Sequence, residues 1–206
     1  MVQNLVHRRS SYFVVTRGKR RWVLREEQNT ATRDKKPAKV HVYAGICARG
    51  KTNLHFVTGT DGQSPPAELN YKGKGVGGGE YRLLLEKHLV PEAQALFKDI
   101  PNEWWYMQDG ASPHTAKLTK KLLDKLCPHW ITDWPANSPD LNPIENGWKI
   151  VKDKLRGRSF NTIDQFKSAV VQAWESISVD QIKKLIASMK HRLRAVEQAH
   201  GAHTKY

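Results

Sequence analysis

The 206 residues carry 34 Lys and Arg against 20 Asp and Glu, a formal charge of +14, and 39% of them are hydrophobic. That length suits one core, and the positive field draws phosphate, so DNA is the expected partner without any sequence preference being implied. No apolar run approaches the roughly 20 residues of a membrane span, and the first residues lack the layout of a secretory signal. Cys47 and Cys127 stand far apart with no Cys-x-x-Cys pair, which argues against a disulfide scaffold or zinc finger and leaves both as core thiols.

In chain order, strand composition marks residues 12–16 and 20–25, and a polar charged stretch at 26–39 reads as a loop. Strands follow at 39–47 and 53–58. Between them Gly45-Ile-Cys-Ala-Arg-Gly-Lys-Thr52 satisfies the nucleotide P-loop string, but a phosphate-cradling loop needs a helix N-terminus after it. A β-rich run follows instead, so the segment reads as a hairpin turn. Residues 61–79 are rich in Gly and Pro. Gly73-Lys-Gly-Val-Gly-Gly78 fits the dinucleotide fingerprint only as a string and reads as the loop before a helix at 80–97.

The aromatic run at 104–108 reads as a strand, broken by Asp109-Gly-Ala. Ser112 is the expected N-cap and Pro113 the first residue of a helix over 113–126. A short strand is expected around Trp130. Three prolines within 134–143 exclude a helix or central strand there, until Asn142 can cap and Pro143 can open a helix over 143–155. Further helices are expected at 163–176 and 179–198. Trp104, Trp105, Trp134, Trp148 and Trp174 are expected in the core.

Asp109 therefore sits on a strand-to-helix turn and Glu145 at a helix start. Hard divalent cations take oxygen ligands and often only one or two protein carboxylates each, so this pair suits half of a phosphoryl-transfer site. Each acid also has a plain structural account. Asp before Gly accepts local backbone hydrogen bonds in turns, and Asn142-Pro-Ile-Glu145 has the spacing of a capping box. Along the helix, Ile144, Trp148, Val151 and Leu155 form an apolar stripe. Glu145, Lys149, Lys152 and Arg156 form a second one, either a track along a DNA backbone or a solvated face of Glu-to-Lys pairs. Lys117, Lys121 and Lys125 read as a solvated face, and the patch Lys190-His-Arg-Leu-Arg194 either binds DNA or is a solvated helix end. His114 either orients a carboxylate, touches phosphate or packs.

Gln108-Asp-Gly-Ala-Ser-Pro-His-Thr-Ala116 and Trp134-Pro-Ala-Asn-Ser-Pro-Asp-Leu-Asn-Pro-Ile-Glu-Asn-Gly-Trp148, with 35 residues between Asp109 and Glu145, resemble the signature of the Tc/mariner-like superfamily of DDE transposases. Lys39-Val-His-Val-Tyr-Ala-Gly45, Leu54-His-Phe-Val-Thr-Gly59 and Ser188-Met189 with Arg192 are similar to its flanking segments. The resemblance implies a ribonuclease H-like α/β fold, a mixed central sheet flanked by helices, as one catalytic-type domain over 1–206 without a helix-turn-helix region. It implies Asp109 and Glu145 as second and third acids of a metal-binding triad. It also implies two Mg²⁺ ions, with Mn²⁺ as a substitute, and cut-and-paste chemistry on transposon ends and target DNA. A nuclear location and a homodimer accord with it.

The first acid of such a triad lies on the first strand, so the place to look is His7-Arg-Arg-Ser-Ser-Tyr-Phe13, which holds no Asp or Glu. An arginine at Arg8 or Arg9 in that slot would remove the carboxylate shared by two metals and add a repulsive charge. Asp34 and Asp61, the nearest acids, lie in loop-like stretches and are not assigned. Three readings follow: a DDE transposase domain, active or inactivated; a DNA-binding remnant of one; and a stand-alone ribonuclease H-like nuclease. An incomplete or misread N-terminal part of the sheet is a further account of the missing acid.

Overall fold

The computed structural model describes residues 5–8, 11–14, 16–17, 20–21, 39–57, 77–135 and 138–205, with side chains from residue 41 onward. Ten short strands and eight α-helices are seen among these residues. The strands are β1 (Leu5–Arg8), β2 (Ser11–Val14), β3 (Thr16–Arg17), β4 (Arg20–Arg21), β5 (Lys39–Tyr43), β6 (Gly45–Cys47), β7 (Gly50–Lys51), β8 (His55–Val57), β9 (Trp105–Gln108) and β10 (His129–Trp130). The central sheet runs β10-β9-β1-β6-β7, and β2-β5-β8 forms a second one. Since β1 pairs antiparallel with β6 while β2 pairs antiparallel with β5, the two sheets share one ribbon. β9 lies parallel to both β1 and β10, so the sheet is mixed, as expected.

Alternation along β5 and β6 assigns the two faces. Val42, Ala44 and Ile46 enter one apolar cluster, whereas Tyr43 and Cys47 enter the other. The first cluster is completed by α5 (Ile144–Leu155), α6 (Ile163–Glu175) and Ile182 of α7 (Val179–Ala187). The second is covered by α1 (Gly78–Leu84), α2 (Val90–Leu96) and α4 (Lys117–Leu126). The sheet is thus buried on both faces, and both cysteines are buried and outside any disulfide. Trp148 stacks on Trp174 at 5.1 Å between α5 and α6. A Cβ at Gly147 would lie 3.7 Å from the Trp174 ring, an ordinary contact, so α5 passes that ring closely there.

Several expectations change. The helix expected over 80–97 carries a π-helical segment at Leu85–Leu89, with the Val90 N–H donating to the Leu85 carbonyl. Pro91 has no N–H to continue the α ladder and its ring crowds the preceding turn, and a five-residue step relieves that conflict. The helix expected over 113–126 breaks at Ala116, whose extended backbone (φ −56°, ψ 136°) separates the single turn α3 (Ser112–Thr115) from α4. Ala111, not Ser112, occupies the N-cap of α3. The helix expected over 179–198 divides at Ser188 into α7 and α8 (Met189–Gln198), where the Ser188 hydroxyl donates back to the Leu185 carbonyl at 2.6 Å. Trp105 is 41% exposed and stacks on His129, a correction to its core assignment. Strand β1 lies ahead of the first expected strand.

The P-loop string is a hairpin. β6 and β7 pair antiparallel, and Thr52 N–H donates to the Gly45 carbonyl at 2.9 Å. Gly50 takes φ +150°, open to glycine and strained for other residues. Lys51 is not available for phosphate, because its ammonium donates to the carbonyls of Trp174, Glu175 and Ile177 at the end of α6. Burial holds its pKa below the usual lysine range, with Glu175 opposing. The glycine-rich string at 73–78 lies outside the described residues except Gly77 and Gly78, the N-cap and first residue of α1.

Candidate active site

Asp109 follows the last residue of β9 and is half-buried. Its Oδ1 accepts from the Ala111 N–H at 3.1 Å, the local turn bond that Asp-Gly favours. The same oxygen lies 2.5 Å from Nδ1 of His114. His114 is fully buried, its ring against Tyr81 at 4.2 Å, and its Nε2 has no hydrogen-bond partner among the described residues. A neutral ring with its proton on Nδ1 suits this arrangement, since a second buried N–H without an acceptor would cost about 1–3 kcal/mol. Of the roles open to His114, the geometry is that of orienting a carboxylate; burial turns the ring away from any DNA backbone.

Two residues the sequence did not single out support this unit. The Tyr81 hydroxyl donates to Oε1 of Gln108 at 2.8 Å, and Nε2 of Gln108 donates to the His114 carbonyl at 3.0 Å. The break at Ala116 has a physical reason here. Alanine favours helix, but α3 is held with His114 under Asp109 while α4 packs Leu123 into the core. Gln108 was visible inside the motif; Tyr81 carried no sequence signal.

Glu145 stands in the first turn of α5, whose N-cap is Pro143 rather than Asn142, and no side-chain cap bond is made there. The Asn142 side chain is buried without a hydrogen-bond partner among the described residues, so the capping-box account of Glu145 fails. The apolar stripe Ile144, Trp148, Val151 and Leu155 is buried as expected, which leaves Glu145 half-buried and Lys149, Lys152 and Arg156 exposed. Arg156 pairs with Asp153.

The start of α5 is clamped from α8. Arg192, read from sequence in a patch that either binds DNA or is solvated, is 2% exposed. Its guanidinium donates to the Asp140 carbonyl at 2.7 Å, to Oδ1 of Asn146 at 2.7 Å and to the Ser188 hydroxyl at 2.8 Å. Asp140 in turn accepts from the Thr204 N–H and hydroxyl. Burial works against the Asp140 carboxylate, but the Thr204 bonds outweigh it and hold the pKa below the usual range. Glu145 thus lies beside Asn146 on a pinned turn.

The first strand completes the picture by register. β1 runs parallel to β9 with Leu5 opposite Trp105 and Arg8 opposite Gln108, the residue before Asp109. The strand that borders the second acid reads Leu-Val-His-Arg and has no carboxylate. Arg9 comes next in sequence, outside the described residues, and the chain has no Asp or Glu before Glu26. Among the described residues β1 offers no carboxylate beside Asp109, so the residues there do not fit a pair of divalent ions that shares a ligand from that strand.

A family model described as DDE superfamily endonuclease matches residues 82–167. The Tc1 transposase of Caenorhabditis elegans is 32% identical over 127 residues, which are 62% of this chain and 45% of that protein. The Tcb1 transposase of Caenorhabditis briggsae is 32% identical over 126 residues, 61% of this chain and 45% of its own length. The Tc3 transposase of Caenorhabditis elegans is 30% identical over 153 residues, 73% and 45%. The chain spans less than half the length of these relatives. The catalytic domain of Mos1 mariner transposase superposes with a TM-score of 0.72 at 14% identity, covering 99% of this chain and 85% of that one. A Mos1 paired-end complex with a left transposon end gives 0.70 at 16%, covering 98% and 56%. Mos1 has also been solved with Mn and with Mg. The structural likeness establishes a ribonuclease H-like fold.

Proposed function

Since the chain belongs to the Tc/mariner superfamily of DDE transposases, we propose that it engages transposon-end and target DNA with Asp109 and Glu145 facing the phosphodiester, and that as it stands it holds DNA without completing cleavage or strand transfer. The observation carrying this reading is the register of β1, which sets Arg8 one step from Asp109 where a carboxylate is needed. An arginine in place of a carboxylate supplies no metal ligand and does not lower the pKa of an attacking water as a metal does.

The residues that remain act on DNA in other ways. His114 fixes the Asp109 carboxylate, and Arg192 fixes the turn that carries Glu145. Lys149, Lys152 and Arg156 are exposed along one side of α5 and meet phosphates, in keeping with a net charge of +14. Magnesium or manganese is the metal such an acid set would take once complete. A transposon-DNA substrate goes with work in the nucleus. Among the described residues no helix is long and apolar enough to cross a membrane.

The test is restoration. Duplexes carrying the terminal repeats that flank the coding sequence are incubated with the native chain, with Arg8→Asp and with Arg9→Asp, in Mg²⁺ or Mn²⁺. The native chain should shift the duplex without nicking it, and one restored variant should nick it. Asp109→Ala in that background should be silent. Nicking by the native chain, or equal activity with and without Asp109, would overturn the reading.

A further inference from the structure

We propose that His55, His88 and Glu92 form a second metal site, for a borderline divalent cation of the zinc class, separate from Asp109 and Glu145. His55 lies on β8, whereas His88 sits in the π-helical segment and Glu92 four residues on, in α2. One ligand atom from each lies within 4.8 Å of the others. Nε2 of His55 is 2.8 Å from Oε1 of Glu92, and the two imidazole rings lie tilted against each other at 4.7 Å and 31°.

These distances suit a cation. With metal–nitrogen and metal–oxygen bonds of about 2.0–2.2 Å, neighbouring ligand atoms lie about 2.9–3.4 Å apart, octahedral to tetrahedral. The His55–Glu92 pair is already close to that spacing. The exposed His88 ring has to move inward by only about 1.5 Å, a rotamer adjustment at the surface. Glu92 is held for the task. Its second oxygen accepts from the Asn53 backbone N–H at 2.8 Å, the outer bond that orients a ligating carboxylate.

A hydrogen-bonded staple between helix and strand accounts for His55 and Glu92 alone. It gives no reason for a second imidazole beside the same carboxylate. A π segment adds a residue to a turn, re-aims the side chains it carries, and is frequent at functional sites. Two nitrogens and one oxygen select Zn²⁺, Co²⁺ or Ni²⁺ over Mg²⁺, which requires oxygen. Partial exposure leaves remaining positions to water, so the ion would bind reversibly and tie β8 to the helix that packs beside it.

The untagged full-length chain is titrated with Zn²⁺ by calorimetry, and with Co²⁺ by visible absorption in excess Mg²⁺. One equivalent should bind, with the d–d spectrum of nitrogen and oxygen ligation and no thiolate band. His88→Ala and Glu92→Gln should each weaken binding by at least about tenfold, the low end of losing even an outer partner. Asp109→Asn should leave it unchanged. His88 is exposed, so its variant should melt with the native chain when metal-free. Failure of the native chain to bind, binding indifferent to His88→Ala and Glu92→Gln, or loss on Asp109→Asn would each overturn the site. None of these outcomes depends on DNA cleavage.

Discussion

Replacing Arg192 with alanine should destabilise the domain more than any change in the exposed basic residues around it. Among the described residues the guanidinium donates to the Asp140 carbonyl, Asn146 Oδ1 and the Ser188 hydroxyl. Bonds from a charged donor contribute about 1.5–3 kcal/mol each, an upper sum that desolvation of the cation reduces. Counted from the other side, three acceptors lose their partner, at about 1–3 kcal/mol apiece, and the stem leaves a hole beside α5. Both routes converge on about 4 kcal/mol, or about 10 °C in melting temperature for a chain of this size. Differential scanning calorimetry of Arg192→Ala and of Arg194→Ala, an exposed neighbour, reads the difference. Arg192→Lys should recover a minor part, because one ammonium cannot span the three acceptors. A loss below about 3 °C, or one equal to that of Arg194→Ala, would show that α8 does not hold the Glu145 turn.

Lys51→Met should cost about 2 kcal/mol in urea denaturation, since the three carbonyls at the end of α6 lose a charged donor; no loss would mean that water replaces it freely. Asp140 gives a pH dependence. Its folded pKa is depressed, so its stabilising contribution is complete above about 3.9, the unfolded value, and is lost as pH falls through the folded one. The stability gap between the native chain and Asp140→Asn should therefore shrink below about pH 3.9; a constant gap contradicts the assignment.

What could be read from sequence was whatever repeats with a period or lies in a contiguous motif. The stripe from Ile144 to Leu155 obeys helical spacing and is buried. The strand at 39–47 alternates between the two apolar clusters, and Asp109 and His114 lie five residues apart within one motif. What escaped was imposed by tertiary structure. Ala116 and Ser188 interrupt segments of good helix propensity because His114 and Arg192 must reach partners elsewhere. Arg192 looked like one basic residue among several, as nothing local reveals that Asp140 and Asn146, about fifty positions away, receive it. Tyr81 and the histidine pair around Glu92 join elements distant in sequence. Glu145 was open to a capping-box account until Asn142 was seen without its bond.

On the proposed reading the acid site, with no carboxylate on β1, does not hold a pair of divalent ions. That reading is tested most directly by Mn²⁺ titration followed by electron paramagnetic resonance, in a His88→Ala background that silences the histidine site. Without a restored aspartate, the protein should bind no Mn²⁺ that Asp109→Ala removes; with aspartate at Arg8 or Arg9, Asp109-dependent binding should appear. Two Mn²⁺ ions bound without restoration, and released by Asp109→Ala, would contradict the account.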